Sequence, residues 1–144
     1  MPVVGTVVSP VRTHNKTIAF TGAAGLGAVG TVAIGTVTGR VFIHRITAYC
    51  TESLVGATAT ISLGVTGATT FFVASTTAED IDTDEWWFDT APDAAAFDIS
   101  SSTGAFTSVI AADIIATVGT ANITDGTIVF EVVWEPVSVG GSLS

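Results

Sequence analysis

The sequence predicts an all-β fold, an antiparallel β-sandwich or jelly-roll-like single domain. Thr, Val and Ile are abundant, and β-branched side chains pack well on a pleated sheet. Short apolar runs alternate with Gly-containing turns, and helix-forming patterns are scarce. A chain of 144 residues is long enough to bury a core without a metal or a disulfide. We therefore expect one sandwich body over residues 17–137.

Two segments show most clearly the alternation of a strand with one buried face. In Ala57–Val65, apolar side chains occupy every second position, with Thr, Ser and Gly between them. In Thr127–Val137, four large apolar side chains alternate with Val and Glu, which predicts a second face that is partly covered. The other predicted strands are Thr17–Phe20, Thr31–Val37, Val41–Cys50, Thr69–Ala74, Glu85–Asp89, Thr107–Ala111 and Ile114–Val118.

Turns and single helical turns are expected between these strands. Turn chemistry marks Gly39-Arg40, Val65–Ala68 and Asp125-Gly126. Short helical turns are expected near Ala78–Ile81 and Ala121–Asp125.

The two ends of the chain differ from the body. Residues 1–16 contain two prolines and end in a polar, basic run, which predicts an extended N-terminal arm. Residues 138–144 are rich in Ser and Gly, which predicts a flexible C-terminal tail.

Charge is segregated along the chain. The four basic residues, Arg12, Lys16, Arg40 and Arg45, precede all thirteen acidic residues, which begin at Glu52. Residues 52–144 therefore cannot form a salt bridge among themselves, so their cationic partners are the N-terminal third, another molecule or a bound cation.

We expect Arg12 and Lys16, on the arm, to pair with acids of a neighbouring molecule. The apolar arm residues Val3, Val4, Val7 and Val8 are expected to bury surface at the same contact.

Composition argues against several classes of function. A net charge of −9 disfavours binding to nucleic acid and to anionic membranes, because both require basic side chains. The stretch Thr17–Gly39 lacks charge, but its glycines and threonines favour turns and strands over a membrane span. The first residues do not resemble a signal peptide, so we expect synthesis in a cytoplasm.

Gly25–Gly30 matches the pattern G-x-G-x-x-G of dinucleotide-binding proteins. That motif functions where a strand ends and a helix begins. Here it leads into a β-prone stretch, so a pliable loop is the better interpretation.

The acidic run at residues 80–85 imitates the start of a calcium loop. Asp80, Asp82 and Asp84 stand at alternate positions, as a hard cation requires of its oxygen ligands. However, Glu85 stands where an EF-hand needs glycine. A solvated acidic loop is therefore the simpler interpretation, with the three aspartates kept as weak metal candidates.

No catalytic constellation emerges from the nucleophiles and bases. His44 and Cys50 would lie about 20 Å apart on a continuous strand at ~3.3 Å per residue, too far for a nucleophile and its base. We expect a half-buried His44 and a buried, unreactive Cys50. The sequence thus predicts no catalytic residue and no cofactor.

Trp86-Trp87-Phe88 is the densest aromatic cluster. On a strand, Trp86 and Phe88 share one face and Trp87 takes the other. One interpretation places Trp86 and Phe88 in the core and Trp87 over an edge. The other makes Trp87 an exposed interface anchor, or a platform on which a carbohydrate stacks.

Several strings resemble small structural proteins of tailed bacteriophages, in particular capsid decoration, or cement, proteins. They are Thr21–Gly30, Ile46–Thr60, Asp80-Ile81-Asp82 and Asp125-Gly126-Thr127. The resemblance implies a compact β-rich body, often trimeric, that binds the lattice of the major capsid protein on the exterior of the virion. It implies no active-site residue. A tail or fibre component that binds the host is the alternative, followed by a calcium-binding lectin or hydrolase.

Overall fold

Two antiparallel four-stranded sheets pack face to face in this computed structural model, which describes residues 10–94 and 108–144. The predicted all-β sandwich is confirmed. The strands are β1 (Arg12–Ala19), β2 (Gly30–Gly35), β3 (Val37–Thr38), β4 (Val41–Val55), β5 (Thr60–Val65), β6 (Ala68–Thr77), β7 (Ser108–Ile110), β8 (Ile114–Gly119), β9 (Asp125–Pro136) and β10 (Ser142–Leu143). The order is β1-β9-β4-β7 in the first sheet and β2-β8-β5-β6 in the second, while β3 pairs with β10.

Strand β9 is the central element of the first sheet, with β1 on one side and β4 on the other. Its alternation is confirmed, since Ile128, Phe130, Val132 and Trp134 are buried against the second sheet. The intervening side chains are half-buried, as the mixed Val and Glu pattern predicts.

A β-bulge in β4 decides which of its side chains face outward. The register with β9 shifts between Ile43 and Arg45, so the alternation restarts there. Ile46, Ala48 and Cys50 consequently point into the core, and Arg45, Thr47 and Tyr49 lie on the outer face.

The second sheet departs from the predicted pattern at β5. That strand begins at Thr60 rather than Ala57 and is buried from Ile61 to Val65 on both faces. The reason lies in β6, whose bulged course brings the Ala68 carbonyl oxygen within 2.2 Å of where a Gly64 side chain would begin. The predicted turn between Val65 and Ala68 is present.

Both predicted terminal segments contain ordered strand. Residues 12–16 belong to β1, because eight consecutive residues pair with β9 from Arg12↔Trp134 to Ala19↔Thr127. The predicted arm therefore shortens, and Val3, Val4, Val7 and Val8 lie outside the described residues. The predicted flexible tail contains β10, in which Leu143 is buried and Ser144 exchanges two backbone hydrogen bonds with Thr36.

Three smaller predictions change. Asp125-Gly126 opens β9 instead of forming a turn, and no helical turn forms at Ala121–Asp125. Glu85–Asp89 does not form a strand and contributes isolated bridges from Trp86 to Tyr49 and to Asp93. The short helical turn is confirmed at Ala78–Asp80, as one turn of 3-10 helix. Within the described residues, no helix has the length and apolar character needed to cross a bilayer.

Candidate functional site

The segment from residue 84 to 87 attaches to the side of β4 opposite β9, beyond the short pairing of β4 with β7, and orients the aromatic cluster. The Cys50 N–H donates to the Glu85 carbonyl (2.8 Å), the Asp84 N–H to the Cys50 carbonyl (2.9 Å), and the Trp87 N–H to the Ala48 carbonyl (2.9 Å). This extended pairing sends Trp86 to the outer face beside Tyr49 and Trp87 into the core.

Trp87 is the buried member of the cluster, so both interpretations of it from the sequence are wrong. Its side chain is 1% exposed, and its indole N–H donates to Thr76 Oγ1 at 2.9 Å. The Thr76 hydroxyl in turn lies 3.0 Å from the Ala74 carbonyl oxygen. Trp87 is therefore a hydrogen-bonded core residue that joins the residue 84–87 segment to β6, and it offers no contact surface.

Trp86 takes the outward position that the sequence interpretation gave to Trp87. Its ring lies 4.7 Å from that of Tyr49, centroid to centroid, with the planes tilted by 53°. On the other side it stacks on Phe88 at 5.8 Å, with the planes only 6° apart. The three rings form a half-buried aromatic row on the outer face of the first sheet.

A shallow pocket of about 390 Å³ lies beside this row. It is lined by Arg45, Thr47, Tyr49, Trp86, Val129 and Glu131. Arg45 forms an ion pair with Glu131 across the β4–β9 ladder. Here a cation of the N-terminal third pairs with an acid of the C-terminal part, as the charge segregation requires. The pocket thus combines an aromatic wall with a polar rim. We call it the outer-face pocket.

The acidic loop supports the pocket through hydrogen bonds. The Tyr49 hydroxyl donates to Asp84 Oδ1 at 2.9 Å, and this bond to a carboxylate raises the pKa of Tyr49. Glu85 accepts a hydrogen bond from the Asp82 N–H at 2.8 Å. Over the described ranges, no three His, Cys, Asp or Glu side chains come together as a metal site, so Asp80, Asp82 and Asp84 are not gathered around one point.

Cys50 and His44 occupy the environments that the sequence predicts. Cys50 is buried in the core, and this burial raises the pKa of its thiol to about 11, so the thiol stays protonated at neutral pH. His44 is half-buried on β4, with Nε2 3.4 Å from a Glu135 carboxylate oxygen.

Arg12 and Lys16 lie on β1, at the edge of the first sheet. In the β1–β9 ladder they lie opposite Trp134 and Phe130. Their side chains are therefore on the core-facing side of the sheet, at the rim of the core. The Arg12 guanidinium sits 5.4 Å from the centre of the Trp134 ring. Between them, His14 Nε2 donates to the Ile34 carbonyl (2.9 Å) and joins this edge to β2. Charges pointing inward at an edge strand oppose uncontrolled strand pairing.

The G-x-G-x-x-G segment forms the loop between β1 and β2. It is followed by a strand, not a helix, so it lacks the helix N-terminus that binds a pyrophosphate. The loop instead packs on the chain before β9, where Gly27 and Ile123 share a 2.8 Å backbone hydrogen bond.

Comparison with protein-family models, with curated proteins and with solved structures found no match. The candidate site therefore rests on its geometry. Sequence reasoning missed the outer-face pocket because its residues come from three distant segments. The alternation of Arg45, Thr47 and Tyr49 was the one visible signal. Because of the bulge at His44, the sequence did not show that this set of side chains faces outward.

Proposed function

We propose that this protein is a structural virion protein, a decoration or cement protein on the exterior of a tailed-phage capsid. Its partner would be the lattice of the major capsid protein, which it stabilises by binding. The resemblance in Thr21–Gly30 and Ile46–Thr60 supports the phage assignment. The β-sandwich body and its exposed edges are compatible with a protein that acts by contact rather than by catalysis.

The basic edge strand carries this proposal. Two exposed cations, Arg12 and Lys16, lie on β1, in a chain whose net charge is −9. Among the described residues, neither cation forms an ion pair with a carboxylate. Pro10 and Val11, which precede β1, are exposed as well, so this end of the edge strand is accessible. We therefore expect a partner with acidic groups to bind along β1.

Reversing the charge of both residues tests this contact. The variant Arg12→Glu/Lys16→Glu is expected to fold but to bind capsid shells roughly 2- to 30-fold more weakly, since each exposed pair contributes ~0.2–1 kcal/mol. Co-sedimentation with shells that lack the protein gives the affinity, and raising the salt concentration should weaken binding of the natural chain. Arg40→Glu, an exposed cation away from β1, is the matched control. Equal binding by the double variant and the control would contradict an electrostatic contact at β1.

Self-association, as a homotrimer, is the second part of the proposal. The second sheet ends at β6, which contains no charged residue and exposes four consecutive residues, Ala68–Phe71. An uncharged edge is suited to pairing with another copy of an acidic chain, because no like charges meet there.

Light scattering with size-exclusion chromatography measures the oligomer directly. The natural chain is expected to give three times the 14.6 kDa monomer mass, and Phe71→Lys is expected to shift the population toward the monomer. Val55→Lys, at another exposed apolar position outside β6, should leave the mass unchanged. A monomeric natural chain would refute the trimer.

A host-binding tail or fibre module remains the second candidate function. The outer-face pocket favours it, since an aromatic wall with a polar rim is typical of a ligand site. Loss of receptor binding without loss of capsid binding in a Trp86→Ala variant would select it.

A further inference from the structure

We propose that the outer-face pocket binds a neutral saccharide. The proposal does not depend on the capsid assignment, because the pocket and the basic edge strand use different residues.

The apolar wall of the pocket matches one side of a sugar ring. Tyr49, Trp86 and Val129 supply two aromatic rings and an aliphatic side chain in one continuous patch. A pyranose presents C–H groups on its ring face, and this face packs on an aromatic ring while excluding water from both. The Tyr49 and Trp86 rings lie 4.7 Å apart, centroid to centroid, and both line the pocket, so one ligand can contact both.

The polar rim matches the hydroxyl groups at the edge of the same ring. Arg45 offers guanidinium donors, Glu131 offers carboxylate acceptors, and Thr47 adds a hydroxyl group to the lining. Each sugar hydroxyl both donates and accepts, so neighbouring hydroxyls can bind the two charged groups together. Hydrogen bonds to charged partners are stronger than those between neutral groups, which gives the rim its selectivity.

Charge selects a neutral ligand over an acidic one. Arg45 and Glu131 already pair with each other, so the rim carries no net charge for a carboxylated or sulfated sugar to neutralise. The negative charge of the whole chain also repels an anion approaching the pocket.

Size and rigidity are also suitable. A volume of about 390 Å³ falls within the usual range of small-ligand sites, and the shallow shape lets a longer chain continue along the surface. Tyr49 is held by its hydrogen bond to Asp84, and Trp86 is held between Tyr49 and Phe88. The aromatic wall is thus ordered before the ligand arrives, which lowers the entropic cost of binding.

Binding of the labelled full chain to an array of neutral and acidic oligosaccharides tests the proposal. We expect binding to one or more neutral oligosaccharides and none to their sialylated or sulfated forms. For the best neutral sugar, calorimetry should show an affinity at least about tenfold weaker in Trp86→Ala and in Glu131→Gln.

Phe42→Ala is the matched control, because Phe42 is a half-buried aromatic residue on the same strand, seven positions before Tyr49. It should bind like the natural chain, and far-ultraviolet circular dichroism should show that all variants are folded. Absence of binding to every neutral oligosaccharide, or unchanged affinity in folded Trp86→Ala, would overturn the proposal. A preference for acidic sugars would overturn the inference that the rim selects neutral ligands.

Discussion

Replacing Trp87 with alanine is expected to lower the free energy of unfolding by about 3–5 kcal/mol, the usual cost of deleting a large buried aromatic side chain. Trp87 is almost completely buried, so the substitution leaves a cavity between β4 and β6. It also removes the 2.9 Å hydrogen bond to Thr76, whose hydroxyl is itself sequestered from water. Urea unfolding followed by far-ultraviolet circular dichroism at 25 °C measures the loss without depending on tryptophan fluorescence.

Two further variants separate the causes of this loss. Trp87→Phe keeps most of the volume and removes the indole N–H, so it is expected to cost about 1–3 kcal/mol. Trp86→Ala, the adjacent residue on the outer face, should cost clearly less than Trp87→Ala, since Trp86 is already half exposed. A Trp86→Ala variant that is as unstable as Trp87→Ala would show that the faces have been assigned wrongly.

Gly27→Ala is expected to be the next most damaging substitution. Gly27 has φ of +114°, and a Cβ atom there would lie 2.1 Å from the carbonyl oxygen of Ile123. The conformation alone costs a side chain roughly 1–2 kcal/mol. The clash with backbone adds about 1–3 kcal/mol, because relieving it displaces the chain that precedes β9 and strains the hydrogen bond from Ile123 to Gly27.

Gly25→Ala is the matched control for that prediction. Gly25 lies in the same loop with φ of +75°, but a Cβ atom there would have no neighbour within 4 Å. It should therefore show the conformational cost alone. Thermal and urea unfolding of both variants give the difference, and equal losses would mean that the loop does not pack on Ile123 as described.

The sequence was most informative where a strand has one buried face. The alternation in β9 predicted its four core residues, because each of them meets the opposite sheet while its neighbours face outward. In β5 the same reasoning failed for Ser62 and Gly64. Their burial depends on the bulged path of β6, which leaves no mark on the residues of β5 itself.

The first five residues of β1 were missed for a different reason, although its end was predicted as the strand Thr17–Phe20. An edge strand makes ladder hydrogen bonds on one side only, and most side chains of Arg12–Ala19 are exposed. Its polar composition therefore resembles that of an unstructured arm, although β9 supplies every partner that it needs. Only the register with β9 reveals that Arg12 and Lys16 point toward the rim of the core.

Apart from the alternation of Arg45, Thr47 and Tyr49, the outer-face pocket lay beyond sequence reasoning. Periodicity separated Trp87 from Trp86 and Phe88, but the choice of which face is buried is made by the hydrogen bonds to Ala48 and Cys50. Those bonds join residues more than 30 positions apart, and the rim of the pocket adds Glu131 from another strand. No local sequence pattern predicts that β4, Trp86 and β9 come together at one pocket.

The central position of β9 also governs when the protein can acquire its structure during translation. Both long strands of the N-terminal half, β1 and β4, depend on β9 for their ladder, yet β9 begins only at Asp125. On the ribosome, the nascent chain can close the local β5–β6 hairpin early, whereas the first sheet has to wait until β9 has been synthesised. The apolar strand β4 thus remains without its main partner until β9 emerges, an interval in which chaperones have the greatest opportunity to bind.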